Sequence, residues 1–234
     1  MADHHISRRE FILGGLTLAA GGCATREPFQ LPPRRRHVQP TILHGPPPLP
    51  RNPAHVPTPV TPIQHPPLQA IARSNWTKGG PIRSRIRAMA PINRITVHHE
   101  GSTPVYFNDA RSTAARLEMI RRYHTNERHW ADIGYHYIID RAGRLWQGRE
   151  LRYQGAHVKY HNPSNIGIMV LGNFNKQRPT KQQTQKLHQT LSRLTRTYRV
   201  ATQQIFTHRE LGPTTCPGTS LQAFMVALRG KRFG

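Results

Sequence analysis

The 234-residue sequence predicts an α/β fold, a single domain with a mixed central β-sheet flanked by helices, preceded by a long segment that builds no core. Two observations predict it. The order of apolar patterns runs strand, helix, hairpin, strand and two helices, which a sheet covered by helices accommodates. The 21 prolines are concentrated between Pro28 and Pro67, and without that stretch the modest 36% hydrophobic content becomes ordinary for a globular domain of about 165 residues.

The elements follow in chain order. Arg94 to His98 is a short β-branched run ending on histidine, read as a buried strand that delivers polar residues at its tip. A helix is expected from about Ser112 to His124, with Asp109 or Ser112 as its cap and with Leu117, Ile120 and Tyr123 toward the sheet. Tyr135 to Asp140 and Arg144 to Gln147 form a hairpin whose Gly143 supplies a positive φ. Ile166 to Leu171 is another apolar strand. Pro179 and Thr180 then open a long helix carrying Leu187, Leu191, Leu194 and Tyr198 on one stripe, with Thr180 and Gln183 as a capping box. A last helix is expected from Ser220 or Leu221. Tyr137, Trp146 and Trp130 read as packing aromatics.

Residues 1–24 read as a signal segment. Ser7, Arg8, Arg9, Glu10, Phe11, Ile12 and Leu13 resemble a twin-arginine export signal, and an apolar stretch too short to span a bilayer comfortably follows to Gly22. Cys23 after Gly21 and Gly22 is placed like the modified cysteine of a bacterial lipoprotein, while ordinary cleavage near Ala24 is the alternative. The expected location is therefore periplasmic or at the cell envelope, with or without a lipid anchor. Residues 25–69 read as a Pro-rich disordered tether, of order 120 Å if extended. Its scattered histidines, His37, His44, His55 and His65, read as solvated rather than ligating. Residues 70–234 form the expected domain, a monomer.

A formal net charge of +23 attracts polyanions. Nucleic acid is disfavoured, since no nucleic-acid-binding motif accompanies the charge and the leader directs the chain elsewhere. Anionic cell-wall polymers and lipid headgroups remain.

Cys216 is the lone cysteine of the expected domain, and Thr215, Pro217 and Gly218 place it in a turn. His208 lies eight residues earlier, after the apolar piece Ile205 to Thr207. A hydrolytic zinc site takes three protein ligands from His, Cys and carboxylate and keeps a fourth position open. His208 and Cys216 supply two, and the His98, His99 pair is the source of a third. Strand alternation lets only one of the pair enter. HExxH is absent.

Several segments together resemble one family. They are Val97-His98-His99, Asp132-Ile133-Gly134-Tyr135-His136-Tyr137, Gly155-Ala156-His157, Asn165-Ile166-Gly167-Ile168, His208-Arg209 and Thr214-Thr215-Cys216-Pro217-Gly218, with Arg73, Ser74 and Trp76 as an opening. From about residue 70 to 228 the chain resembles the peptidoglycan recognition proteins and T7-type phage lysozymes, the type 2 N-acetylmuramoyl-L-alanine amidases. That resemblance implies Zn2+ on His98, His208 and Cys216, catalytic roles for Tyr135 and Thr214, and substrate contacts from His157 and Asn165. It implies hydrolysis of the amide between N-acetylmuramic acid and L-alanine, with peptidoglycan or muropeptides as partner. The rival reading within the fold is a non-catalytic peptidoglycan-binding module. Glu100, close after the histidine pair, reads as a solvated loop residue.

Overall fold

A computed structural model of the chain describes residues 68–230. The signal segment with Cys23 and nearly all of the tether lie outside the described residues. Five strands form one sheet: β1 (Arg94–His99), β2 (Tyr137–Ile139), β3 (Leu145–Gln147), β4 (Asn165–Val170) and β5 (Ile205–Thr207). Their order is β3-β2-β4-β1-β5, with β1 parallel to both β4 and β5, β2 parallel to β4, and only β3 antiparallel to its neighbour. The mixed sheet flanked by helices is thus present.

Side-chain alternation gives the sheet two different faces. Ile95 and Val97 of β1 and Ile166, Ile168 and Val170 of β4 point to one side. They pack under the helices α2 (Lys181–Tyr198) and α3 (Thr219–Gly230), where Leu187, Leu191, Leu194, Leu221 and Met225 close the larger core. On the other side, Ile138, Met169 and Trp146 meet Leu117 and Ile120 of α1 (Ala110–Asn126). Thr96, His98 and Asn165 occupy this second face as buried polar groups.

The helix signals act as the sequence indicates. The Asp109 carboxylate accepts the Ser112 N–H at 2.7 Å, capping α1. Thr180 and Gln183 make a reciprocal capping box on α2. The Asp140 to Gly143 turn has Gly143 at φ +79. In α1 the expected stripe is corrected at its end: Tyr123 is 51% exposed, and His124 is buried in its place. Each step of three falls about 60° short of a full turn, so the face stays aligned only by alternating steps of four and three, here Thr113, Leu117, Ile120 and His124.

Candidate metal centre

β1 ends on two histidines that part company. His99 follows Val97 onto the apolar face, where its Nδ1 accepts the Phe174 N–H at 3.2 Å. His98 follows Thr96 onto the polar face and is fully buried. The parallel register Val97↔Thr207 makes the residues that follow them neighbours, so the ring centroids of His98 and His208 lie 4.8 Å apart. The loop after His208 then returns, closed by the Arg209 N–H donating to the Cys216 carbonyl at 2.9 Å. This brings Cys216 Sγ to 3.7 Å from His98 Nδ1. One ligand atom from each of His98, His208 and Cys216 lies within 4.8 Å of the others. The site sits at the carboxyl ends of parallel strands, where open α/β sheets place ligands.

Burial sets the charge state of this cluster. It holds His98 well below the ordinary histidine value, helped by His157 and His208, and it lowers His208 as well. It also pushes the Cys216 thiol up to about 12, against the opposing pull of the His99 N–H and Arg209. The residues alone therefore form an uncharged set of two neutral imidazoles and a thiol. That donor set fits a divalent cation, which takes imidazole lone pairs and displaces a thiol proton.

Hydrogen-bond logic also fixes which histidine nitrogen is free. The Asn165 carbonyl can only accept, so His157 Nε2, 3.2 Å away, carries the proton. Neutral His157 then accepts at Nδ1 from His98 Nε2 at 3.1 Å. The lone pair of His98 is left on Nδ1, facing Cys216. His157 is held in place by Asn162, whose Oδ1 accepts the His157 and Val158 N–H groups at 2.8 and 2.9 Å. A Cβ on Gly167 would stand 2.6 Å from the His157 ring, so that glycine opens the space the ring fills.

The other expected site residues are placed as follows. The Tyr135 ring lies tilted against His98, 5.2 Å centroid to centroid, and burial raises its phenol far above the ordinary value, keeping it protonated. Thr214 is exposed, and its hydroxyl accepts the Cys216 N–H at 3.2 Å, bracing the ligand's turn. Asn165 is fully buried, its amide tied to Thr96 Oγ1 and the His161 carbonyl, so its side chain has no face toward a ligand. Glu100 is corrected from a solvated residue: its side chain is buried and held by Arg116 and Ser102. Trp130 is corrected from pure packing, since it lines a cleft of about 550 Å3 together with Arg128, His157, Lys159, Asn162 and His208. His124, absent from the expected site, abuts both Tyr135 and Trp130 and accepts the Gly134 N–H at Nδ1. Its signal was the helical spacing from Ile120.

A mixed sheet that gathers two histidines and a cysteine beside an open cleft defines an α/β protein with a site able to hold a metal ion. The chain belongs to the N-acetylmuramoyl-L-alanine amidase family, whose model matches residues 88–219. It is 31% identical over 152 residues to peptidoglycan-recognition protein SC2 of Drosophila melanogaster, covering 64% of this chain and 81% of that one. It is 33% identical over 132 residues to the endolysin of Enterobacteria phage K11, covering 53% and 85%. Among solved structures, the ectodomain complex of peptidoglycan recognition proteins LCa and LCx bound to tracheal cytotoxin matches with TM-score 0.58 and 27% identity, over 64% of this chain and 90% of that one.

Proposed function

We propose that this protein is a zinc-dependent amidase that hydrolyses the bond between N-acetylmuramic acid and L-alanine in peptidoglycan or its fragments. The observation that carries the proposal is the convergence of His98, His208 and Cys216 within 4.8 Å, the complete donor set of a hydrolytic site. A Zn2+ ion held there would polarise the scissile carbonyl and lower the pKa of water. The chain's own residues supply the rest. The His157 and Asn165 relay holds His98 with Nδ1 unprotonated. The protonated Tyr135 phenol donates to the oxyanion as it develops, and Thr214 is a second neutral donor at the turn. The walls of the cleft beside His157 and His208 receive the substrate. The S-R-R-x-F-I-L segment supports export to the periplasm or cell envelope, with Cys23 as a candidate lipid anchor.

The test is metal analysis joined to product identification on defined muropeptides. One zinc per chain and release of stem peptides with a free L-alanine amine, both lost in His208→Ala, are expected. Muropeptide binding without release, by zinc-loaded protein, would make it a recognition module instead.

A further inference from the structure

The helical layer on the side of the sheet away from His98 carries a charge pattern that packing does not explain. From Leu151 to Arg209 the chain contains ten Lys and Arg and no Asp or Glu. Half of those cations lie in α2 or at its end: Lys181, Lys186, Arg193, Arg196 and Arg199. At about 100° per residue they share one arc of about 140°, opposite the buried Leu187, Leu191 and Leu194.

Helix stability does not call for this arrangement. Lys181 sits at the positive end of the helix dipole, and Arg193, Arg196 and Arg199 recur every third residue, which sets like charges side by side. Among the described residues, no ion pair reaches Lys181, Lys186, Arg196 or Arg199. The carboxylates that approach these helices are spent elsewhere. Asp140, in the turn whose Arg141 carbonyl accepts the Thr180 hydroxyl, pairs with Arg144, and Glu210, against α3, pairs with Arg229.

In the same layer α3 turns a different surface outward. Ala223, Val226, Ala227 and Gly230 are exposed on one arc, Val226 at 55%, opposite the buried Leu221, Met225 and Leu228. Since α2 and α3 close one core, both outer faces point away from the sheet on the same side. The described chain also begins here, where Leu68 lines one groove with Lys186, Gln189 and Arg193.

We propose that the outer faces of α2 and α3 form a docking surface for an anionic lipid bilayer, with the α2 cations on the headgroups and the α3 stripe at the acyl boundary. A hydrated polyanion such as a wall polymer would match the charge but gain nothing from the apolar stripe, whereas a bilayer uses both. The chain before Leu68, with Cys23 as candidate anchor, joins the domain at this face, so anchorage and docking act on one side. His98 lies on the opposite face of the sheet, so the docked domain turns its metal centre away from the membrane. The proposal rests on the export reading and not on the amidase chemistry.

Lysine acylation of the full chain, read residue by residue by mass spectrometry, tests it. The probes are vesicles of phosphatidylglycerol with phosphatidylcholine, vesicles of phosphatidylcholine alone, and a glycerol-phosphate oligomer. The mixed vesicles are expected to slow acylation of Lys181 and Lys186 severalfold while Lys159, on the cleft, reacts as before, and phosphatidylcholine alone should protect neither. In Arg196→Gln/Arg199→Gln the lipid concentration needed for protection should rise on the order of tenfold, and in Val226→Gln about fivefold, with zinc content and thermal midpoint unchanged. Protection by the oligomer alone, or vesicle protection indifferent to Val226→Gln, would assign the face to a polyanion and overturn the bilayer. Unchanged reactivity with all probes, or equal protection by both kinds of vesicle, would overturn it too. Hydrolysis plays no part in this readout, so failure of the amidase reading leaves the result untouched.

Discussion

The two faces of the sheet are built from the same strands and do opposite work. Toward α2 and α3, β1 and β4 present Ile and Val, with His99 at the end of β1 tied to the Phe174 N–H, and the layer closes as an apolar core. Toward α1 the same strands present Thr96, His98 and Asn165, each buried and each bonded to a neighbour. Apolar contacts are interchangeable and non-directional, so the first face contributes stability. Buried polar groups tolerate only the partners that satisfy them, so the second face contributes geometry. The His98, His99 pair is the sharpest instance, since adjacent identical residues are sent to different faces.

The largest effect should come from separating that pair. His98→Ala is expected to abolish stoichiometric zinc binding, whereas His99→Ala keeps it and costs about 1–3 kcal/mol by leaving the buried Phe174 N–H unpaired. Metal content and urea titration read the two outcomes, and loss of zinc from the His99 variant would break the division of the faces. Next, Leu187→Ala, wholly on the apolar face, should cost about 2–5 kcal/mol of unfolding free energy while zinc affinity of the folded protein stays unchanged. Third, His157→Phe, which keeps an aromatic ring there and removes the acceptor for His98, should weaken zinc about 10–100-fold as outer-shell partners do. Competition with a chromophoric chelator measures it, and an unaltered affinity would remove His157 from the positioning role.

The most gradual effect concerns pH. Burial holds His124 and His136 at about 4, below the ordinary histidine value of 6.5. The unfolded chain therefore binds more protons than the fold between these limits, and stability rises with pH there. Stability is present in full above about 6.5 and is lost as pH falls toward 4, by on the order of 1 kcal/mol per pH unit for each group. Urea midpoints of His124→Gln across that window should show a shallower slope than wild type; an identical slope would count against a neutral buried His124.

Local chemistry was legible wherever a local rule governs it. The Asp109 and Thr180 caps, the Gly143 turn and the apolar strands all act within a few residues of themselves. Tyr123 lies off the buried face because a run of three-residue steps resembles a helical face for one turn and then drifts off it. At the site, Cys216 and His208 stood out by residue type and spacing. Alternation required that one of His98 and His99 be excluded, but could not say which, because that depends on which face α2 and α3 cover. From sequence Glu100 reads as solvated because its partner Arg116 lies on a helix 16 residues away.

By itself, the sequence determined the elements, the donor types and the family, since period, caps and ligand chemistry are properties of short segments. Only the tertiary structure decided that Val97 pairs with Thr207, which sets His98 beside His208, and that a carbonyl behind His157 chooses the free nitrogen of His98. Register and burial are relations between distant segments: they fix which polar groups face one another without water, and with that the charge and direction of each ligand.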